Sequence, residues 1–175
     1  MKKSAVYSLF IVASVILTFF WINTDYLANF SLQLTAFLAV SLIFVRHLHK
    51  DENLRISETV VSTICVLLIT HATGGFKSPF FFLNYFLLFE LSLILLPSTA
   101  IVLSLSLVLF YFYSFAVVSV YDILIVFSFI FMTPLAYICG KLHQKVKTQK
   151  IEIGKLSEKL KSYKDQMTAN PITPV

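Results

Sequence analysis

Residues 98–140, STAIVLSLSLVLFYFYSFAVVSVYDILIVFSFIFMTPLAYICG, carry a single charged side chain, Asp122. A helix needs about 20 residues to cross a ~30 Å hydrocarbon layer. Residues 98–140 number 43, too many for one crossing and suited to a tight helical hairpin. One span is expected near 98–114 and another near 121–140, joined around Phe115–Val120. The apolar runs are continuous and lack the alternation of a lumen-facing strand, so helices are expected and a membrane barrel is not.

Working outward, the same logic predicts four earlier spans. The nearest covers 79–96, opens with Pro79-Phe80-Phe81-Phe82 and is broken by Pro97-Ser98. Another covers 56–73 and stops at Gly74-Gly75. A third covers 26–46 and gives way to the polar segment His47–Arg55. The first covers 4–22, behind Lys2 and Lys3, and ends at Asn23-Thr24-Asp25; with no small-residue cleavage site after it, it reads as a retained span rather than a signal peptide. The composition agrees with this count. Across 175 residues, 58% are apolar, 13% are charged and the mean hydropathy is +0.84, against about 45–50% apolar and about 25% charged in soluble domains. The expected fold is all-α: a six-span transmembrane helical bundle over 1–140, followed by a cytoplasmic coiled-coil helix.

Charge distribution orients that bundle. Residues 1–140 balance six Lys/Arg against six Asp/Glu, whereas residues 141–175 hold eight Lys and three acids. With six spans and the N-terminus inside, thirteen basic residues fall on the cytoplasmic side and only Lys77 outside, as the positive-inside rule requires. The expected location is therefore the bacterial cytoplasmic (inner) membrane, multi-pass, with both termini cytoplasmic. The basic tail fits anionic headgroups, and nucleic acid is not expected as a partner.

Beyond Gly140 the pattern changes. Leu142, Val146, Gln149, Ile153, Leu156, Leu160, Tyr163 and Met167 succeed one another at alternating spacings of four and three, a heptad seam. Val146, Ile153, Leu160 and Met167 take a positions; Leu142, Gln149, Leu156 and Tyr163 take d. Two β-branched a residues favour a parallel homodimer. Competing readings are a Lys-rich amphipathic helix on a membrane surface and an unstructured tail. Two prolines within Asn170–Val175 end any helix, and residues 170–175 are expected to be disordered. Pro134 removes one helical hydrogen bond in the last span and is a candidate signalling hinge.

Polar residues within apolar runs are costly and mark candidate sites. Glu90 stands about eleven residues into the fourth span; Asn84, six positions earlier, lies on a different helix face. His71 lies just before the glycine pair. His47 and His49 make no metal-ligand pattern, no metal is expected, and Cys65 and Cys139 read as small buried hydrophobes. The stretch His71-Ala72-Thr73-Gly74-Gly75-Phe76-Lys77-Ser78-Pro79-Phe80 is the densest local signal. Paired glycines permit positive φ, Ser78 can cap the following helix and Pro79 can start it. Free N–H groups at that helix start would hold a polar headgroup, with Phe76, Phe80 and Phe81 around an apolar ring. The candidate ligand-binding residues are therefore His71, Thr73, Gly74, Gly75, Phe76, Ser78, Pro79, Phe80, Asn84 and Glu90.

This stretch, with the six-span layout and the helix that follows, resembles the Thr-Gly-Gly-x-x-Asn/Ser-Pro-Phe motif in the sensor regions of RegB/PrrB-like redox-responsive histidine kinases. Gly74, Gly75, Ser78, Pro79 and Phe80 match motif positions. The resemblance implies sensing of a membrane quinone and relay to a downstream kinase or output domain. Beyond Lys141 there is no phosphoacceptor helix, ATP-binding domain or cysteine, so this chain is not expected to be an enzyme.

The expected function is a membrane-embedded input module that relays through a dimeric coiled coil. The alternatives are a small substrate-binding component of a transport system, with Glu90, Asn84 and His71 lining a cavity, or a membrane scaffold. No His-Glu-x-x-His, Gly-x-Ser-x-Gly or Walker pattern supports catalysis.

Overall fold

A computed structural model describes residues 2–48, 54–114 and 119–169, with side chains over 5–44, 56–113 and 119–165. His49, the expected hairpin tip at 115–118, the side chain of Met167 and the tail 170–175 lie outside the described residues. Every described element is helical: α1 (Lys2–Asn23), α2 (Asp25–Ala28), α3 (Ser31–Leu48), α4 (Leu54–Ala72), α5 (Leu83–Ile94), α6 (Pro97–Ser114) and α7 (Val120–Ala169), with one 3-10 turn at Gly75–Lys77.

The helix ends follow from local chemistry. At the end of α1, Asn23 Nδ2 and Thr24 Oγ1 donate to the carbonyls of Phe19 and Phe20, at 2.9 and 3.0 Å, occupying acceptors that the last turn leaves open. Thr24 is itself extended (φ −97°, ψ 106°), which separates α1 from α2. At the end of α4, Thr73 Oγ1 donates to Ile69 O at 2.6 Å, and Gly74 turns the chain at φ 117°, in the left-handed region that favours glycine. Pro97 opens α6, where its missing N–H costs nothing.

The chain divides into two compact units, Met1–Lys141 and Leu142–Val175. Within the first, α4 packs against α1, α3 and α5, while α6 packs against α1 and α5. The core gathers Ile11 from α1, Leu67 and Leu68 from α4, Leu87, Leu88 and Leu91 from α5, Leu103 and Leu107 from α6, and Phe129 from α7. Within the second unit, the side chains of Ile151–Asp165 are all exposed.

This architecture corrects the six-span expectation. Among the described residues only Ala5–Asn23 of α1 and the Val120–Asp165 stretch of α7 are long and apolar enough to cross a membrane. The other apolar stretches, Ser31–Phe44, Ile56–Ala72, Leu83–Ile94 and Pro97–Tyr113, are shorter. The expected span at 26–46 is interrupted between Ala28 and Ser31, and the one at 79–96 reduces to the 12 residues of α5. Twelve residues rise about 18 Å, well short of a ~30 Å layer. The cause is a run of i+3 turns: Phe81 N, Leu83 N and Asn84 N donate to Ser78 O, Phe80 O and Phe81 O, at 3.0–3.1 Å. Without six crossings, the multi-pass inner-membrane location with both termini cytoplasmic loses its basis. The segment 141–169 is not a separate coiled coil placed after a bundle either; it is the latter part of α7, whose earlier turns bury Phe129 and Ala136 in the core.

Candidate functional site

The Thr73–Phe80 loop is closed on itself. Thr73 Oγ1 and Ser78 Oγ lie 2.5 Å apart, and Ser78 Oγ accepts the Phe80 N–H at 3.0 Å. Lys77 N donates to Gly74 O and Ser78 N to Gly75 O, both at 3.1 Å. Ser78 therefore stabilises its own turn and does not cap α5, which begins at Leu83. Pro79 and Phe80 are exposed, whereas Gly75, Phe76 and Ser78 are buried.

Phe76 of the loop and Phe81 just after it face inward. Phe76 and Phe81 are 6% and 7% exposed, and their centroids stand 5.8 Å apart. Both reach Tyr111 of α6, at 5.1 and 5.3 Å. Phe81 also reaches Phe129 of α7 at 5.9 Å, and Tyr85 of α5 meets Phe129 at 5.2 Å. These separations are those of favourable aromatic pairs. Phe76 and Phe81, expected around an apolar ring, pack here against each other and against rings from α6 and α7.

Beside this cluster lies a buried polar group. Thr70, Asn84 and Tyr111 are at most 1% exposed, and the side chains of Thr70 and Asn84 bear on the Tyr111 hydroxyl. Asn84 Nδ2 donates to Phe81 O at 3.0 Å, while Asn84 Oδ1 and Thr70 Oγ1 lack a partner in good hydrogen-bond geometry. Glu90 belongs elsewhere: half-buried, it accepts from Ser62 Oγ of α4 at 3.4 Å. His71 is half-buried at the end of α4. The fold thus joins Thr73, Gly74, Gly75, Phe76 and Ser78, sets Asn84 beside Phe81 and Tyr111, and gives Glu90 to the α4–α5 contact.

The first half of α7 is bound to this region by polar links. Tyr85 OH and Ser128 Oγ are hydrogen-bonded, and Thr133 Oγ1 lies 2.6 Å from Ser104 Oγ of α6. Ser92 Oγ of α5 donates to Ala136 O at 2.7 Å. One turn further along α7, a Cβ added to Gly140 would fall 2.1 Å from Ser92 Oγ and 2.6 Å from Ser92 O. The two helices cross almost backbone to backbone, and only glycine fits. Sequence reading missed Ser92, Ala136 and Gly140, although Ala136-x-x-x-Gly140 is a small-xxx-small pattern. It missed Tyr111 and Phe129 because nothing distinguishes them among the surrounding aromatics.

Pro134 lies between Phe129 and Ala136 and is exposed; α7 is helical through it. Leu142, Val146, Gln149, Ile153, Leu156, Leu160 and Tyr163 are exposed along the later turns. Between α1 and α6, Val12, Val15, Phe19, Leu109, Phe110 and Tyr113 line an apolar groove of about 230 Å³. Among the described residues, no three His, Cys, Asp or Glu side chains come together as a metal site requires.

No family model matches the chain, and neither curated proteins nor solved structures match it. The resemblance to RegB/PrrB-like sensor regions is therefore corrected. No match to that family supports it, the six-span layout it rested on is not formed, and Gly-Gly with Ser-Pro-Phe here serves ordinary turn geometry.

Proposed function

We propose that the chain is a membrane-associated, non-catalytic input module, in which a change at the Thr73–Phe80 loop shifts the ring cluster and α7 relays that shift to a partner. One observation carries this reading: a single helix holds Phe129, enclosed by Phe81, Tyr85 and Tyr111, and also the exposed seam from Leu142 to Tyr163. Ser92, Ala136 and Gly140 act as the clamp, so α7 cannot ignore a movement of α5. Pro134, between ring cluster and clamp, lacks an N–H and forms the compliant point.

Association with a bilayer is supported by the outer faces of the bundle. Leu9, Leu17 and Phe20 on α1, Phe37, Val40 and Ile43 on α3, Leu105 and Phe112 on α6, and Phe131 on α7 are each at least 60% exposed. Apolar surface of that extent requires an apolar cover, and lipid supplies one.

The test places a nitroxide at residue 157 in a Cys65→Ser/Cys139→Ser background, reconstituted in lipid nanodiscs, and substitutes Gly74-Gly75 by Ala-Ala. The expected result is an altered spectrum at 157 with helix content retained. An unchanged spectrum at 157, while a label at Lys77 reports a changed loop, would overturn the relay.

A further inference from the structure

The seam on α7 has flanks, and their charge identifies what it fits. With Val146, Ile153 and Leu160 at a, the e positions are His143, Lys150, Ser157 and Lys164, and the g positions are Lys145, Glu152 and Lys159. In a parallel pair each g residue faces the e residue of the next heptad on the other helix. Two copies of this chain would set Lys145 against Lys150 and Lys159 against Lys164, and Glu152 against Ser157. Glu152 is the only acid on either flank from Leu142 to Lys164, so in any orientation a self-pair offers the flanking lysines at most one flank acid per chain. Like charges at e and g disfavour self-pairing and select an oppositely charged partner.

The width of the apolar stripe separates a helix partner from a lipid surface. A helix lying on a bilayer presents a broad apolar face, whereas a strict a/d stripe is the narrower seam of a helix pair. Here the positions beside the seam are mostly lysine, so the apolar stripe is two positions wide. Leu156, Leu160 and Tyr163 are 64%, 71% and 63% exposed among the described residues.

We infer that the Leu142–Tyr163 face of α7 docks a helix of a different protein, one with apolar a and d positions and Glu or Asp at e and g. This deepens the relay reading by naming the chemistry of the receiving partner. Carboxylates on that helix would meet Lys145, Lys150, Lys159 and Lys164, providing orientation and selectivity.

The experiment uses the full chain in neutral detergent at physiological ionic strength. Its probes are a labelled four-heptad helix with Leu and Ile at a and d and Glu at every e and g, and the same helix with Lys at e and g. The acidic helix is expected to bind and the basic one not. The triple variant K145E/K150E/K159E should weaken the acidic helix by about tenfold or more and admit the basic one. L156N/L160N should abolish binding of the acidic helix, with circular dichroism confirming that α7 remains helical. Self-association that outcompetes both probes, and is unchanged by charge reversal, would overturn the inference in favour of a homodimer. So would binding to anionic vesicles, with no affinity for the acidic helix, that survives L156N/L160N. The two readings fail separately. Charge-selective docking with no response at residue 157 to the loop substitution keeps the partner and removes the relay. A response at 157 without charge selectivity does the reverse.

Discussion

The two halves of α7 share one helix and almost nothing else. From Val120 to Lys141 its side chains bury Phe129 and Ala136, hydrogen-bond to Tyr85, and accept Ser92 at the Ala136 carbonyl. From Leu142 to Asp165 its side chains are exposed nearly throughout. Two glycines mark the contrast. Gly140 has no room for a methyl group, whereas a Cβ at Gly154 would meet nothing within 4 Å. Backbone hydrogen bonding is equally available to both halves, so helix formation does not tell them apart. What differs is whether a neighbour restricts the side chain.

That comparison can be broken at its strongest point first. Phe129→Ala removes the ring on which Phe81, Tyr85 and Tyr111 converge, and should cost about 3–5 kcal/mol in denaturant unfolding followed in detergent. An effect no larger than that of an exposed alanine substitution would mean that α7 is not held by the cluster. Gly140→Ala is next, at about 1–3 kcal/mol from overpacking. Because the clash includes the backbone of Ser92 as well as its hydroxyl, adding Ser92→Ala should not restore stability; full rescue would show that the crossing is looser than described. The smallest effect has the opposite sign. Gly154→Ala should raise the helix content and gain about 1 kcal/mol of local helix stability, read by amide exchange across 150–160, with no change in unfolding of the bundle.

Part of this was legible in the residues. Gly74-Gly75 and Pro97 end helices through their own backbone geometry, which requires no partner, and the structure breaks there. The four-three spacing beyond Gly140 is likewise local, and those residues do lie on one helix. The start of α5 was not legible. Pro79 is compatible with a first helical turn, yet the chain continues through i+3 turns to Leu83, bringing Phe81 against Phe76, Tyr111 and Phe129. Apolar length alone also overcounted crossings, because it registers composition and not where a helix stops. The Thr-Gly-Gly motif misled for the same reason: turn chemistry recurs wherever a chain must reverse.

The sequence by itself determined that the described elements are helical, their glycine and proline breakpoints, and a lysine-flanked heptad seam, because propensity, turn chemistry and periodicity act within a few residues. Only the tertiary structure decided which aromatics pack beside the loop, that Glu90 meets Ser62 while Asn84 meets Phe81, and that Ser92 reaches the backbone of α7 at Ala136 and Gly140. Those facts depend on how helices cross, and a crossing is set by side chains 44 to 48 positions apart, beyond the reach of any local pattern.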